Sequence, residues 1–434
     1  MSDKDSTKKK NKTAAGAEPK TKSNNRFARR PKTTAFFILV AFIVLSELAS
    51  YLIIVAVGHR DIRRGPQYNR QLSGYTVFKN SPHFNFGSSY IKADPSEPDI
   101  ALDENGFLTD VPLTLEKKPN TIRIFVLGGS TAFGGGQGSG YHSTHLYPAG
   151  VYSYQQSIAG KLKAYLQKQQ PDVNFEVINA ASYQRRFHQS VLLYMESISR
   201  FSPDFVVNIE GWNDIYSFVS GTPYHDVEAL LPEFVKLEEK SHSLLGRSNT
   251  IYVLMRLYDK IRLKSIKAEP PDLLPAIEFS DEEHEQRKQQ CIAHAARFEQ
   301  ILSQYLAVLD SDKTKLVFVL QPILQRQKWN KPLSPIEKQL YNVNFYPNTD
   351  PAEFRDFAFV VCYFFDDYFT GSLEKIITEH GQIYIDANRE MQSLDESVEV
   401  FSDFCHLLPP GNQFVAEQIG EKILAASALK NISK

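Results

Sequence analysis

Cysteine is scarce in these 434 residues: only Cys291, Cys362 and Cys405 occur. Three thiols with no Cys-x-x-Cys pair exclude a disulfide-stapled scaffold and a cysteine zinc site. A single Cys291–Cys362 bridge and three buried thiols both stay open as readings. Charge of one sign is also lacking, since the formal net charge is −1, which gives no global attraction to nucleic acid. No internal repeat is present. Long apolar runs are absent with one exception, near the N-terminus.

Two familiar glycine loops are missing as well. In Phe125-Val-Leu-Gly-Gly-Ser-Thr-Ala-Phe-Gly-Gly-Gly, Gly129 and Gly134 have phosphate-loop spacing, but Gly135 stands where the lysine is needed. The dinucleotide fingerprint fails because Gly128 and Gly129 are adjacent and Ser130 fills the third position. What survives is the reading of Ser130 as a nucleophile at the end of a strand, with residues 134–140 forming a loop over it.

What is present begins with a basic tail. From Met1 to Lys32 there are eleven Lys or Arg against Asp3, Asp5 and Glu18, and so few apolar residues that residues 1–33 are expected to be disordered. The exceptional apolar run follows. Residues 35–57 are long enough to cross a hydrocarbon core as one helix, and with no small-residue cleavage site after it the segment 34–58 reads as an uncleaved signal anchor. The larger positive excess before the span than after it (His59, Arg60, Arg63, Arg64) predicts a cytoplasmic tail and an exported remainder. Glu47 lies inside the span. Its readings are a contact with a partner helix in the membrane and a protonated or snorkelling carboxyl in a lone anchor.

Beyond the span, residues 59–120 are rich in Pro, Asn, Gly and Asp and read as an irregular collar. Residues 121–430 then alternate strands with helices. Apolar runs of strand length at 122–127, 175–178, 205–209, 315–320 and 383–385 are interleaved with helical spacing such as Tyr154, Ile158, Leu162, Tyr165 and Leu166. That alternation predicts an α/β fold, a parallel sheet covered on both faces in three α/β/α layers. A charged, helix-forming interruption at about 225–310 reads as a helical insertion, and the proline-rich stretch 331–351 as a surface excursion.

A serine nucleophile needs a base and a group to orient it. Asp403 and His406, three apart after the last strand, can supply both. Gly211 permits a tight turn after the third strand, from which the Asn213 amide can reach the sheet's C-terminal edge, where open parallel sheets bind ligands; an ordinary turn asparagine is the alternative. An α/β-hydrolase elbow, Gly-x-Ser-x-Gly, is excluded by Ala132.

Together these blocks resemble the SGNH (GDSL-like) hydrolase superfamily. Leu127-Gly-Gly-Ser-Thr is similar to its first block, 177–184 to its second, Gly211-Trp-Asn-Asp to its third and Asp403-Phe-Cys-His to its last. The resemblance implies a flavodoxin-like core, a catalytic Ser130–His406–Asp403 set, and an oxyanion hole from Ser130, Gln184 and Asn213. Gln184 stands where the family has a glycine. Gly129, Thr131, Arg185, His188, Gly211 and Trp212 are expected to line the substrate, and no metal or organic cofactor is required. The implied activity is removal of O-acyl groups from a glycan or lipid. Acyl transfer to an envelope polysaccharide, and a non-catalytic glycan-binding or assembly protein, are the alternatives.

Overall fold

The computed structural model describes residues 30–56, 70–73, 76–86, 90–135, 150–219, 248–265, 281–324, 331–342, 360–361 and 363–432, with Arg326 and Trp329. The basic tail, most of the glycine loop and Cys362 of the considered disulfide lie outside the described residues. The strands are β1 (Arg70–Ser73), β2 (Val77–Asn80), β3 (Tyr90–Ile91), β4 (Thr121–Gly128), β5 (Val151–Tyr152), β6 (Asn174–Asn179), β7 (Phe205–Glu210), β8 (Lys315–Leu320) and β9 (Ile383–Asp386). β1 and β2 make an antiparallel pair, and β3 pairs with β5.

The main sheet has the order β6-β4-β7-β8-β9, parallel throughout. Numbered among themselves these five run 2-1-3-4-5, the flavodoxin-like order, whose direction of winding reverses between β4 and β7. The strands read as near-continuous apolar runs because both faces are covered. Alternate side chains separate cleanly: Phe125, Leu127, Val206, Leu316 and Phe318 enter one core, Ile124, Val126, Val207, Val317 and Val319 the other. The three-layer α/β/α fold follows from that split.

The helices are α1 (Pro31–Ala56), α2 (Ser130–Phe133), α3 (Ile158–Gln169), α4 (Phe187–Leu193), α5 (Trp212–Val219), α6 (Asn249–Ser265), α7 (Asp281–Ser311), α8 (Pro335–Asn342), α9 (Glu374–Glu379), α10 (Ala387–Met391) and α11 (Pro409–Ile432). Helices α3 and α11 cover one face; α4, α7 and a π-helical run, Tyr363–Leu373, cover the other. Two expectations need correction here. The interruption at 225–310 is not wholly an insertion, since Cys291, Phe298, Leu302, Tyr305 and Leu309 of α7 are buried against the sheet, making α7 a covering helix of the βαβ crossover. Nor is the collar a mere spacer. Leu102, Phe107 and Leu108 are buried in the two cores, and Leu108 exchanges backbone hydrogen bonds with Asn179 at the end of β6.

Helix α1 has 26 residues and is long and apolar enough to cross a membrane. Glu47 on it faces this chain's own α6. Its carboxylate accepts from the Ser248 hydroxyl and from the N–H groups of Asn249 (2.7 Å) and Thr250 (3.3 Å). The residue therefore caps a helix of the same polypeptide, and the expected contact with a separate membrane partner is replaced by an internal one.

Candidate active site

The site forms where β4 and β7 diverge. Strand β4 ends at Gly128, whose φ of 136° and whose approach to the Ile209 carbonyl, 2.2 Å from where a Cβ would sit, both exclude a side chain. The chain then turns through Gly129 into α2, so Ser130 opens that helix. Gly134 closes it in the left-handed region (φ 96°), and Gly135 donates to the Ser130 carbonyl at 2.7 Å. At the end of β6, Asn179 donates to the carbonyls of Ala132 and Phe133 and accepts from Ala181 N–H, tying the second block to the nucleophile turn.

Ser130 and the Asp403–His406 pair, far apart in sequence, converge. Ser130 Oγ lies 2.8 Å from His406 Nε2, and His406 Nδ1 lies 2.7 Å from Asp403 Oδ2. Asp403 Oδ1 also accepts from the backbone N–H groups of Cys405 and His406, at 2.9 and 2.8 Å. Burial alone pushes the Asp403 carboxyl up, but the charge of His406 and these three donors outweigh it and hold it below the usual carboxylate range. The same environment pushes the Tyr152 phenol up to about 12, through burial first and the Asp403 charge second. Tyr152 therefore stands beside the dyad as a neutral group at ordinary pH.

The groups expected as oxyanion donors lie around the same turn. The Asn213 Nδ2 amide lies over Gly129, 2.2 Å from the position a Cβ would take, and donates to the Arg185 carbonyl at 2.9 Å. Glycine at 129 is therefore what lets the amide approach the nucleophile turn. The Ser130 N–H has no acceptor among the described residues. Gln184 adopts φ +58°. This is the left-handed conformation that a glycine takes without strain, and the chain has accommodated glutamine there. Asp214 holds both halves together, accepting from Phe187 N–H at 2.9 Å and Gly211 N–H at 3.2 Å. Behind it the buried Glu210 accepts from Ser190 and Asn208; burial, then the Asp214 charge, raise its carboxyl well above its ordinary range.

Several expected substrate contacts are placed elsewhere. Thr131 is buried; its hydroxyl donates to the Cys405 carbonyl at 2.9 Å and accepts from Gln321 Nε2 at 2.7 Å. It locks the nucleophile turn to the histidine loop and does not face a ligand. Arg185 is 1% exposed and donates to the Ala180 carbonyl, while His188 is buried in α4; neither offers a surface charge to an anionic substrate. Gly211 (φ 138°) is enclosed by Phe365 and Leu320. Trp212 packs at 4.7 Å between ring centroids against Phe404, beside the histidine loop.

That loop rests on groups the sequence reading passed over. Glu337 Oε1 accepts from Val400 N–H (2.8 Å) and Phe401 N–H (3.3 Å), and Oε2 accepts from Lys331 Nζ at 2.6 Å, all out of water. The stretch expected as a surface excursion is in this part an internal support. A Ser-x-x-Glu spacing at Ser334–Glu337 was the available signal: the two side chains exchange capping bonds with each other's N–H groups. Asp403, Cys405 and His406 place one oxygen, one sulfur and one nitrogen within 4.8 Å of one another. The carboxylate and imidazole of that trio are already bonded to each other, which argues against their use as a ligand set.

No family model and no curated protein matches the chain. Among solved structures it is similar to Axe2, an acetylxylan esterase from Geobacillus stearothermophilus, at 12% identity over 70% of this chain and 94% of that one, with a TM-score of 0.33. An acetyl xylan esterase, AlAXEase, aligns at 12% identity over 70% of this chain and all (100%) of that one, TM-score 0.34. A candidate GDSL-like lipase from Parabacteroides merdae aligns at 12% over 70% and 94%, TM-score 0.33. At these scores the likenesses carry no weight beyond the strand order itself.

Proposed function

We propose that this chain is a membrane-tethered serine esterase that removes O-acyl groups, acetyl foremost, from a glycan or lipid outside the cytoplasm. The observation that carries the reading is the unbroken hydrogen-bonded line from Ser130 Oγ through His406 to Asp403, at 2.8 and 2.7 Å. An uninvolved turn serine has no reason to sit at the end of such a line.

In the reaction Ser130 Oγ attacks the acyl carbonyl carbon while its proton passes to His406 Nε2. The electron pair displaced onto the carbonyl oxygen is received by the Ser130 N–H, the Gln184 N–H and the Asn213 amide. Asp403, kept ionised, holds the Nδ1 proton in place and stabilises the imidazolium. His406 then gives its proton to the departing alcohol oxygen, leaving an acyl-Ser130 ester. Water, deprotonated by His406, attacks that ester and returns the serine. The membrane tether is supported by the length and apolarity of α1, and the exported side by the charge excess before it.

A fluorophosphonate probe tests the reading on the full chain in detergent, because only a base-activated serine reacts quickly with it. One label at Ser130, lost in Ser130→Ala, is the expected result. A folded wild-type protein that takes no label, and does not turn over an activated acetyl ester, returns the chain to the non-catalytic alternative. Comparing water with a glycan hydroxyl as acceptor then separates hydrolysis from acyl transfer.

A further inference from the structure

The reading of α1 as a membrane span leaves α6 unexplained, and the inference here rests on that span, not on the esterase reading. Glu47 lies nine residues before the end of α1 at Ala56, which is about 14 Å along the helix axis, roughly half the hydrocarbon thickness. The first turn of α6 is held at that depth by the Glu47 carboxylate, and Ser50 adds a 3.4 Å contact to Thr250. Glu47, Ser50 and Ile54 form one stripe at helical spacing, and Ser50 and Ile54 are the buried residues of α1. The covered stripe runs from mid-helix toward Ala56. Helix α6 packs along α1.

The described exposed side chains of α6 are apolar. Leu254, Met255, Leu257 and Tyr258 are 52–64% exposed and occupy an arc of about 160°. This patch continues the exposed apolar surface of α1, where Leu48, Tyr51, Leu52, Ile53 and Val55 are uncovered. A helix starting inside hydrocarbon has a specific difficulty, because its first N–H groups have no water to bond to. An acidic side chain supplied by the neighbouring span answers it, and accounts for an ionisable residue within an otherwise apolar run.

We propose that α6 is a second membrane element: a helix seated in the leaflet on the exported side, its N-terminus capped at mid-depth by Glu47 and its Leu254–Tyr258 face against lipid acyl chains. The chain is then fixed to the bilayer by two helices, not by α1 alone.

The test places the photo-crosslinker p-benzoylphenylalanine at Leu257 of the full chain, reconstituted in phosphatidylethanolamine/phosphatidylglycerol nanodiscs. Adducts are read by mass spectrometry, with Leu45 in α1 and the exposed Lys288 in α7 as references. The proposal expects acyl-chain adducts at 257 within about threefold of those at 45 and about tenfold or more above those at 288. Adducts at 45 but not at 257, or adducts at 257 to this chain or to a second protein, overturn it while leaving the span intact. Absence at both positions overturns the span and the inference together. Glu47→Ala is expected to lower lipid adducts at 257 severalfold and Glu47→Gln, which keeps an acceptor oxygen, to restore most of them; ester turnover is unchanged in both. Unaltered adducts in Glu47→Ala would overturn the capping role.

Discussion

At the scale of single residues the site is decided by what a few backbone and side-chain atoms are left to do. Asn213→Ala removes one oxyanion donor and is expected to lower kcat by roughly 10²–10³ while leaving the fold intact, measured by turnover of an activated acetyl ester alongside thermal unfolding. In the proposed mechanism Gln184 contributes its N–H, not its side chain, so Gln184→Gly should keep turnover. Gln184→Val places a β-branched residue at φ +58° and should lose roughly 1–2 kcal/mol of stability, with turnover falling alongside. Glu210 gives a pH-dependent case. Burial first, and the Asp214 charge second, raise its folded carboxyl well above the ordinary value of about 4.5, so folding holds a proton that the unfolded chain releases. The cost of folding therefore grows above pH 4.5 by about 1.4 kcal/mol per pH unit, up to the folded pKa. Glu210→Gln, which keeps the acceptor for Ser190, should be more stable than the parent by a margin that widens from pH 5 to pH 7. A margin independent of pH would mean Glu210 is ionised in the fold. Asp403 has the opposite sign: its folded pKa is depressed, so its contribution is full above the unfolded value and disappears only as pH falls through the folded one.

At the scale of elements, the histidine loop is held by α8 and by its own bridge between Phe401 and Leu407. Glu337→Ala leaves Lys331 buried without its carboxylate and two N–H groups without acceptors, a loss of about 3–5 kcal/mol. Lys331→Met with Glu337→Leu removes the stranded charge and should recover much of that stability. It cannot restore acceptors to Val400 and Phe401, so kcat should stay low although the protein is folded. Recovery of both together would show that the loop does not depend on those two bonds. Glu337 was hidden from the sequence because proline content signals a break in regular structure whether or not the break is buried. The extent of α7 was hidden for a related reason: Asp281–Ser311 has so many charges on its outer side that the stripe from Cys291 to Leu309 is diluted. The five central strands were legible, because strands buried on both faces cannot carry polar residues freely. So were the blocks at their C-terminal ends, where Gly128, Gly129 and Gly211 mark turns that no side chain tolerates. Thr131, next to Ser130, and Arg185, next to Gln184, were misjudged because sequence adjacency to a site residue does not say which way a side chain turns.

At the scale of the whole molecule, the sheet collects residues from four distant segments at one edge, and on the proposal above α1 and α6 tie that edge to a bilayer. The direction of insertion is the consequence that can be checked most directly. Eleven basic residues precede the span, against His59, Arg60, Arg63 and Arg64 after it, and basic flanks are retained on the cytoplasmic side. The Glu47 contact is met in either orientation, because α6 belongs to the segment after α1 and goes with it to whichever side that segment is delivered, so the charge asymmetry alone carries the choice. A reporter that is enzymatically active only after export, fused after Lys434, should therefore be active in the intact protein. Replacing the basic residues of the tail with glutamine should lower that activity and raise that of a cytoplasm-active reporter at the same position. If the cytoplasmic reporter is the active one in the unaltered chain, the substrate lies inside the cell, and the reading of an exported glycan or lipid esterase fails even with the Ser130–His406–Asp403 line intact.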